Sequence, residues 1–422
     1  MSSPTTPTTA AEVLDVYRRH LSRGRARLAS MTGAAMEVTS RGAYVWDADG
    51  KEYLDCGGYG VFLLGHCHPQ VVEAVTAQVR RHPMATRILL EPVAATAASE
   101  LAGVTPPGLD RVHFVNSGAE AVETAIKLAR AQGKTRLISA VGGYHGKTTG
   151  ALALTSQPLY QDPFRPLLPA EHVPFGDLGK LAEALGHGGP ACLVLEPVQG
   201  EGGVVIPPPG YLAQVQRLCT EHGAFFVLDE IQTGMGRLGT WWGADPEDIR
   251  PDVLLVGKGL SGGVIPVAAA VSTAAAYAPF DRDPFLHTST FAASPVAMAA
   301  AAAAVRAIAG ERLVERAGVL GHDILARAEA ALAPLRGDIV ADIRGRGLLI
   351  GIEMCDAQTA GELVLHLLDA GLLTNHSLNA QRVVRLTPPA VLRDADLERI
   401  GAALTTAAAA LLRSASSRPG RG

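Results

Sequence analysis

Ala224-Phe225-Phe226-Val227-Leu228-Asp229 and Val253-Leu254-Leu255-Val256-Gly257-Lys258-Gly259 are two apolar runs, the first ending in an acid and the second leading to an amine. Short continuous apolar runs bounded by turn residues read as strands buried on both faces. The chain has only six lysines among its 37 basic residues, so each can be weighed singly. Lys51 follows the Asp49-Gly50 turn signal, Lys134 and Lys180 lie in polar connecting sequence, and Lys147 follows a Gly-rich stretch. Lys127 stands four residues after Glu123, the spacing of an ordinary helix-surface ion pair. Lys258 alone occupies a strand terminus between glycines, where an amine emerges into a crevice that the backbone can approach closely. Desolvation lowers the pKa of such an amine and suits it to Schiff-base chemistry. By itself Lys258 would read as a solvated loop lysine; Asp229 at the end of the other run overturns that.

A parallel sheet lines up its strand C-termini along the edge where ligands bind, and the spacing from Asp229 to Lys258 leaves room for one crossover. Pyridoxal phosphate (PLP) needs a lysine to hold its aldehyde as an imine, and a carboxylate to keep its pyridine nitrogen protonated so that the ring can take up electrons. The stretch Val227-Leu228-Asp229-Glu230-Ile231-Gln232-Thr233-Gly234-Met235-Gly236-Arg237, followed by Val256-Gly257-Lys258-Gly259, resembles the class III PLP-dependent aminotransferases. The likeness runs from about Gly42 to about Val391. Within the class it is greatest to putrescine (diamine) aminotransferases, through Gly57-Gly58-Tyr59-Gly60-Val61-Phe62, His172-Val173-Pro174-Phe175-Gly176, Pro207-Pro208-Pro209-Gly210-Tyr211-Leu212 and Asp283-Pro284-Phe285-Leu286-His287-Thr288-Ser289-Thr290. The resemblance implies an α/β, fold type I transferase.

Outward from these strands, Val112–Val115, Thr135–Ser139 and Ala191–Leu195 are further strand candidates alternating with helical segments, which predicts a mostly parallel sheet wrapped by helices. The sequence about Asp49-Gly50 predicts a β-hairpin, Ala10 to about Ala29 has helical spacing, and Ile339 to Glu353 has strand character. The expected organisation is a tail, helix and hairpin segment of a small domain over 1–80, a large PLP-binding domain over 81–309, a C-terminal α+β small domain over 310–413, and a disordered tail over 414–422. Met1 to Thr9 also reads as a disordered tail. The alanine-rich Val296–Ala309 contains Arg306 and is too short to span a bilayer; Ser294-Pro295 marks it as the start of a buried helix. A net charge of −4 gives no broad attraction to nucleic acid or anionic membrane. Five cysteines without paired spacing point to a reduced, cytoplasmic setting. His66-Cys67-His68 is too tightly spaced to chelate one zinc, so no metal site is expected.

Asn116-Ser117-Gly118-Ala119-Glu120 follows a strand and opens a helix, a local anion site; read alone, it is a turn capped by Ser117. The family likeness makes Ser117, Gly118 and Ala119 phosphate ligands and Tyr144 the aromatic that stacks on the cofactor ring; His145 beside it is a further cofactor-site candidate, although a lone histidine is more often structural. The likeness also assigns Gln232 to the cofactor's phenolic oxygen, and Thr290 to the phosphate of a neighbouring subunit in a homodimer or dimer of dimers. Glu201 and Arg385 match a glutamate–arginine pair that serves an amine donor and then a keto-acid acceptor, and Tyr59 is a substrate contact in the Gly57–Leu63 loop. Ala292-Ala293-Ser294 departs from the family's usual Gly-Gly-Asn. The leading expectation is transfer of a terminal amine from a diamine such as putrescine to 2-oxoglutarate or pyruvate. A biosynthetic aminotransferase acting on a specialised aldehyde or ketone is the rival. PLP-dependent aminomutases, epimerases and decarboxylases stand further off, and a non-catalytic binding role furthest.

Overall fold

The computed structural model describes residues 8–416. The expected tails fall largely outside that span, but Thr9 caps the helix Ala10–Val16 and the last helix, Asp394–Ser416, takes in Ser414. The chain begins its strands with β1 (Glu37–Arg41), β2 (Tyr44–Asp47) and β3 (Glu52–Asp55). Then follow β4 (Leu109–Val115), β5 (Arg136–Ala140), β6 (Ala170–Val173), β7 (Ala191–Leu195), β8 (Phe225–Asp229), β9 (Val253–Val256) and β10 (Ala268–Thr273). The final third adds β11 (Val340–Arg346), β12 (Leu349–Met354), β13 (Leu372–Leu373), β14 (Asn375–His376) and β15 (Val383–Leu386).

The middle strands build one seven-stranded sheet in the order β4-β10-β9-β8-β7-β5-β6. Its core is parallel, and only β10 runs against its neighbours β4 and β9. Every residue of β7, β8 and β9 is buried, which is why these strands read as unbroken apolar runs. Two members of the sheet were not among the strand candidates. β10 opens with three alanines, poor strand formers, and its pairing is imposed by the strands on either side. β6, Ala-Glu-His-Val, is an edge strand whose polar residues suit an unpaired border. The register sets Leu195 opposite Leu228 and Asp229 opposite Leu255, so the ends of β7, β8 and β9 share one edge.

The crossover from β8 to β9 contains no α-helix; it is a run of turns with one short 3₁₀ segment, Asp245–Glu247. Buried Glu230 pins it by accepting the Gly243 and Ala244 N–H groups and the Thr233 hydroxyl. Burial pushes that carboxyl up to about 7.

Two four-stranded sheets complete the fold. The expected hairpin about Asp49-Gly50 forms, with Tyr44 opposite Leu54, and β13 extends it parallel to β3. The other sheet runs β11-β12-β15-β14 and carries Arg385 on β15. The N-terminal helical stretch is broken rather than continuous: a π-helical turn, Tyr17–Leu21, separates Ala10–Val16 from Arg23–Met31, and Ser22 caps the second piece. The alanine-rich segment is a buried helix, Pro295–Gly310. Among the described residues, no helix is long and apolar enough to cross a membrane.

Candidate active site

The edge where β7, β8 and β9 end opens on a cavity of about 230 Å³ lined by Gly118, Ala119, Tyr144, His145, Glu196, Asp229, Gln232 and Lys258, among others. Lys258 follows β9 in a 3₁₀ turn and is held in the left-handed region at φ 40°. Burial pushes its amine down to about 8; the Glu201 carboxylate acts against this and the Arg385 guanidinium with it. Asp229 ends β8 and is 3 % exposed. Its Oδ2 lies 2.7 Å from His145 Nδ1, and its Oδ1 accepts the Ile231 N–H at 3.1 Å. Burial disfavours a charge on His145, but its hydrogen bond to Asp229 and the negative charges of Asp229 and Glu196 together outweigh burial and raise the imidazole pKa.

Gln232 is buried, and its Nε2 has no hydrogen-bond partner among the described residues. A buried amide donor without an acceptor is costly. It is held at the cavity because Gly200 passes so close that a Cβ there would fall 2.0 Å from Gln232 Oε1. Tyr144 is half-buried and lines the cavity, and its N–H donates to Glu196 Oε1 at 3.0 Å. Glu196 also accepts the Gly200 N–H and, once buried, has its carboxyl raised to about 7. No role was read for Glu196 in the sequence, yet the signal was there. It follows β7 as Asp229 closes β8, an acid at the neighbouring strand end.

Ser117 caps the helix Gly118–Ala131 in a capping box: its Oγ accepts the Glu120 N–H, while Glu120 Oε2 accepts the N–H groups of Ser117 and Asn116. The first-turn N–H groups of Gly118 and Ala119 have no partner within the helix, so those two residues, more than Ser117, present donors to an anion. Gly118 sits so close to Ile231 that a Cβ would lie 2.9 Å from Ile231 Cδ1. Lys258, Ser117 and Gly118 also line a neighbouring cavity of about 320 Å³ with Val61 and Asn116.

Glu201, in the turn that follows β7, and Arg385, on β15, meet in the interior. Arg385 Nη1 lies 2.7 Å from Glu201 Oε1, with side chains 0 % and 3 % exposed. The contact is an ion pair without hydrogen-bond alignment, and the Arg385 Nε and Nη2 groups also lack acceptors among the described residues. Tyr59 is 56 % exposed at φ 51° in a loop whose next residue, Gly60, would place a Cβ 3.9 Å from Lys258 Cδ. Thr290 is exposed on a loop tied down by Arg87, which donates to the carbonyls of Ser289, Thr290 and Ala292. At the departure from Gly-Gly-Asn, Ala293 adopts φ 55°, a conformation glycine takes without strain. His66 and His68 turn to separate carboxylates, Asp55 and Glu311.

These residues fit PLP. The lysine has a depressed amine, a buried carboxylate faces the same cavity, a helix start offers free N–H groups, and an orphaned amide donor lacks an acceptor.

A model of the class-III aminotransferase family matches residues 29–408. Ornithine aminotransferase from Toxoplasma gondii is similar at 32 % identity and TM-score 0.89, over 97 % of this chain and 96 % of that one; its crystal structure shows partial occupancy of PLP at the active site. Acetylornithine aminotransferase from Elizabethkingia anophelis is similar at 31 % identity and TM-score 0.83, over 96 % of this chain and 100 % of that one. An (S)-enantioselective omega-transaminase from Thermomicrobium roseum is similar at 28 % identity and TM-score 0.88, over 96 % and 100 %. The chain belongs to the class III aminotransferases, PLP-dependent enzymes of fold type I that move an amino group between an amine and a keto acid.

Proposed function

We propose that this enzyme takes a terminal primary amino group from a diamine or ω-amino compound and delivers it to 2-oxoglutarate or pyruvate in two half-reactions at one site. The observation that carries this reading is the buried Glu201–Arg385 pair. A donor such as putrescine has no α-carboxylate and leaves Arg385 needing a counter-charge, which Glu201 provides. A keto acid brings its own carboxylate, which suits the planar guanidinium, and Glu201 must then swing away. The similarity to ornithine, acetylornithine and omega-transaminases supports an ω-amine donor in general and does not single out putrescine.

The remaining roles follow from position. Bound PLP supplies an electron sink for the carbon that bears the amine. Lys258 would hold the cofactor and carry the proton between substrate carbon and cofactor, a task suited to an amine with a pKa near neutrality. Asp229, oriented by His145, would keep the pyridine nitrogen protonated. Gln232 Nε2 would donate to the phenolic oxygen, Tyr144 would cover the ring, and Ser117, Gly118 and Ala119 would receive the phosphate. Tyr59 would contact the substrate.

Thr290 is assigned to the phosphate of a second subunit, which makes the enzyme at least a homodimer, working in the cytoplasm. The exposed apolar residues near the Arg87 tie, Ile88, Leu89, Leu90, Phe285 and Phe291, support a covered surface there. Sedimentation of an active monomer would remove that assignment. The donor assignment is tested by screening purified enzyme with diamines, ω-amino acids and α-amino acids against 2-oxoglutarate and pyruvate. Turnover with α-amino acids only would overturn it, and turnover that favours a specialised aldehyde as acceptor would favour the biosynthetic rival.

A further inference from the structure

The turn between β14 and β15 reaches across from the Arg385-bearing sheet to the large one. Ser377 Oγ donates to Gly200 O at 3.3 Å, Leu378 N–H to Glu201 Oε2 at 2.8 Å, and Asn379 N–H to Glu201 O at 3.0 Å. Asn379 Nδ2 donates to the Gly142 and Gly143 carbonyls at 3.0 Å each, just before Tyr144. The turn is fixed in its own right. Val383 N–H closes it onto Ala380 O at 2.9 Å, and Tyr160 Oη donates to Leu378 O at 3.0 Å. Lys147 Nζ sits 3.7 Å from the centre of the Tyr160 ring, holding that ring in place.

Glu201 is therefore held at both carboxylate oxygens, one against Arg385 and the other on the Leu378 N–H. A buried carboxylate accepting a backbone N–H is a strong, directional contact. Swinging Glu201 off Arg385 strains or breaks it. We propose that the turn 377–380 is the catch of the substrate switch: the Leu378 N–H favours Glu201 on Arg385, and so sets the balance between amine donor and keto acid. Tyr160 and Asn379 are positioning residues that fix the height of that N–H group. This rests on the Glu201–Arg385 reading given above.

Loosening the catch has a signed effect. The pair opens more readily, so donor binding weakens while keto-acid binding gains. A charge-assisted hydrogen bond lost outright would shift that balance by roughly tenfold to a hundredfold. Removing only its support should shift it by about threefold to tenfold, on the same scale. Tyr160→Phe keeps the ring under Lys147 and deletes only the hydroxyl, and Asn379→Ala releases the turn from Gly142 and Gly143. Each half-reaction is followed in single turnovers by the absorbance of the bound cofactor, with putrescine and then 2-oxoglutarate. The expected result is a rise of at least about threefold in the ratio of donor KM to keto-acid KM, on the scale of one weakened bond, with cofactor loading unchanged. An unchanged or inverted ratio in the variants that load cofactor would overturn the catch. Arg385→Lys run beside them separates the two ideas. If it depresses both halves equally, the switch itself fails. If it splits the halves while Tyr160→Phe and Asn379→Ala do not, the catch alone fails.

Discussion

The two ends of the site are built on opposite principles. At the cofactor end, Asp229 closes β8 while Lys258 and Glu196 follow its two neighbours in the same sheet, and Gln232 Nε2 has no hydrogen-bond partner among the described residues. At the substrate end, Glu201 sits in the turn after β7, Arg385 on β15 and Tyr59 in the turn after β3, and the opposing charges already meet. The first end gathers strand-end groups around one cavity; the second, on the function proposed above, is a paired charge that rearranges for each of two substrates.

If that contrast is right, damage at the cofactor end should abolish both half-reactions, while damage at the substrate end should split them. The largest effect is expected from Lys258→Ala, which removes the cofactor-holding amine and the proton carrier together. Cofactor absorbance and nearly all turnover should vanish, and substantial residual activity would break the comparison at its root. Asp229→Asn should retain part of the cofactor and lose about two to four orders of magnitude in both halves, the usual reach of a mispositioned proton or charge. A loss confined to one half would show that Asp229 belongs to the substrate end.

Arg385→Lys sharpens the other side. A lysine cannot reproduce the planar contact with a carboxylate, and breaking a buried pair costs about 3–5 kcal/mol. The keto-acid half should fall by about a hundredfold or more, on that scale, with the amine half far less affected, as read by single-turnover absorbance. The pH dependence of cofactor uptake by the cofactor-free enzyme is a subtler probe. The neutral amine is the reactive form, and burial places its pKa at about 8. Uptake should therefore rise with pH up to about 8 and level off above it, and a rate still climbing toward pH 10 would mean that Lys258 is solvated. The smallest effect belongs to neither end. Ala293→Gly should relieve the left-handed backbone and stabilise the protein by about 1 kcal/mol, measured as a higher denaturant midpoint with activity unchanged.

The same contrast explains what was legible in the sequence. Asp229 and Lys258 could be read because each closes an apolar strand, and a parallel sheet aligns such ends by construction. That Tyr144 and Gln232 would line the same cavity was legible only through family likeness. Ser117 shows how a local motif can answer to two readings, since its capping box is present whether or not an anion binds. The Leu378–Glu201 contact left no trace, because a backbone N–H has no residue signature and the two positions lie in turns far apart in the sequence. β10 escaped for the opposite reason: its alanines carry no strand pattern, and only its neighbours make it a strand.

That strand has a consequence for the making of the protein. The helix Gly118–Ala131 starts just after β4 and Lys258 lies just after β9, and within the sheet these two strands are joined only through β10, which runs antiparallel to both. On the ribosome, β4 emerges early and stays without a neighbour until Ala268–Thr273 has followed. A nascent chain stopped before that point lacks the strand that sets β4 and β9 in register within one sheet. The frame of the cofactor site is thus complete only once its last stave, Ala268–Thr273, has been made.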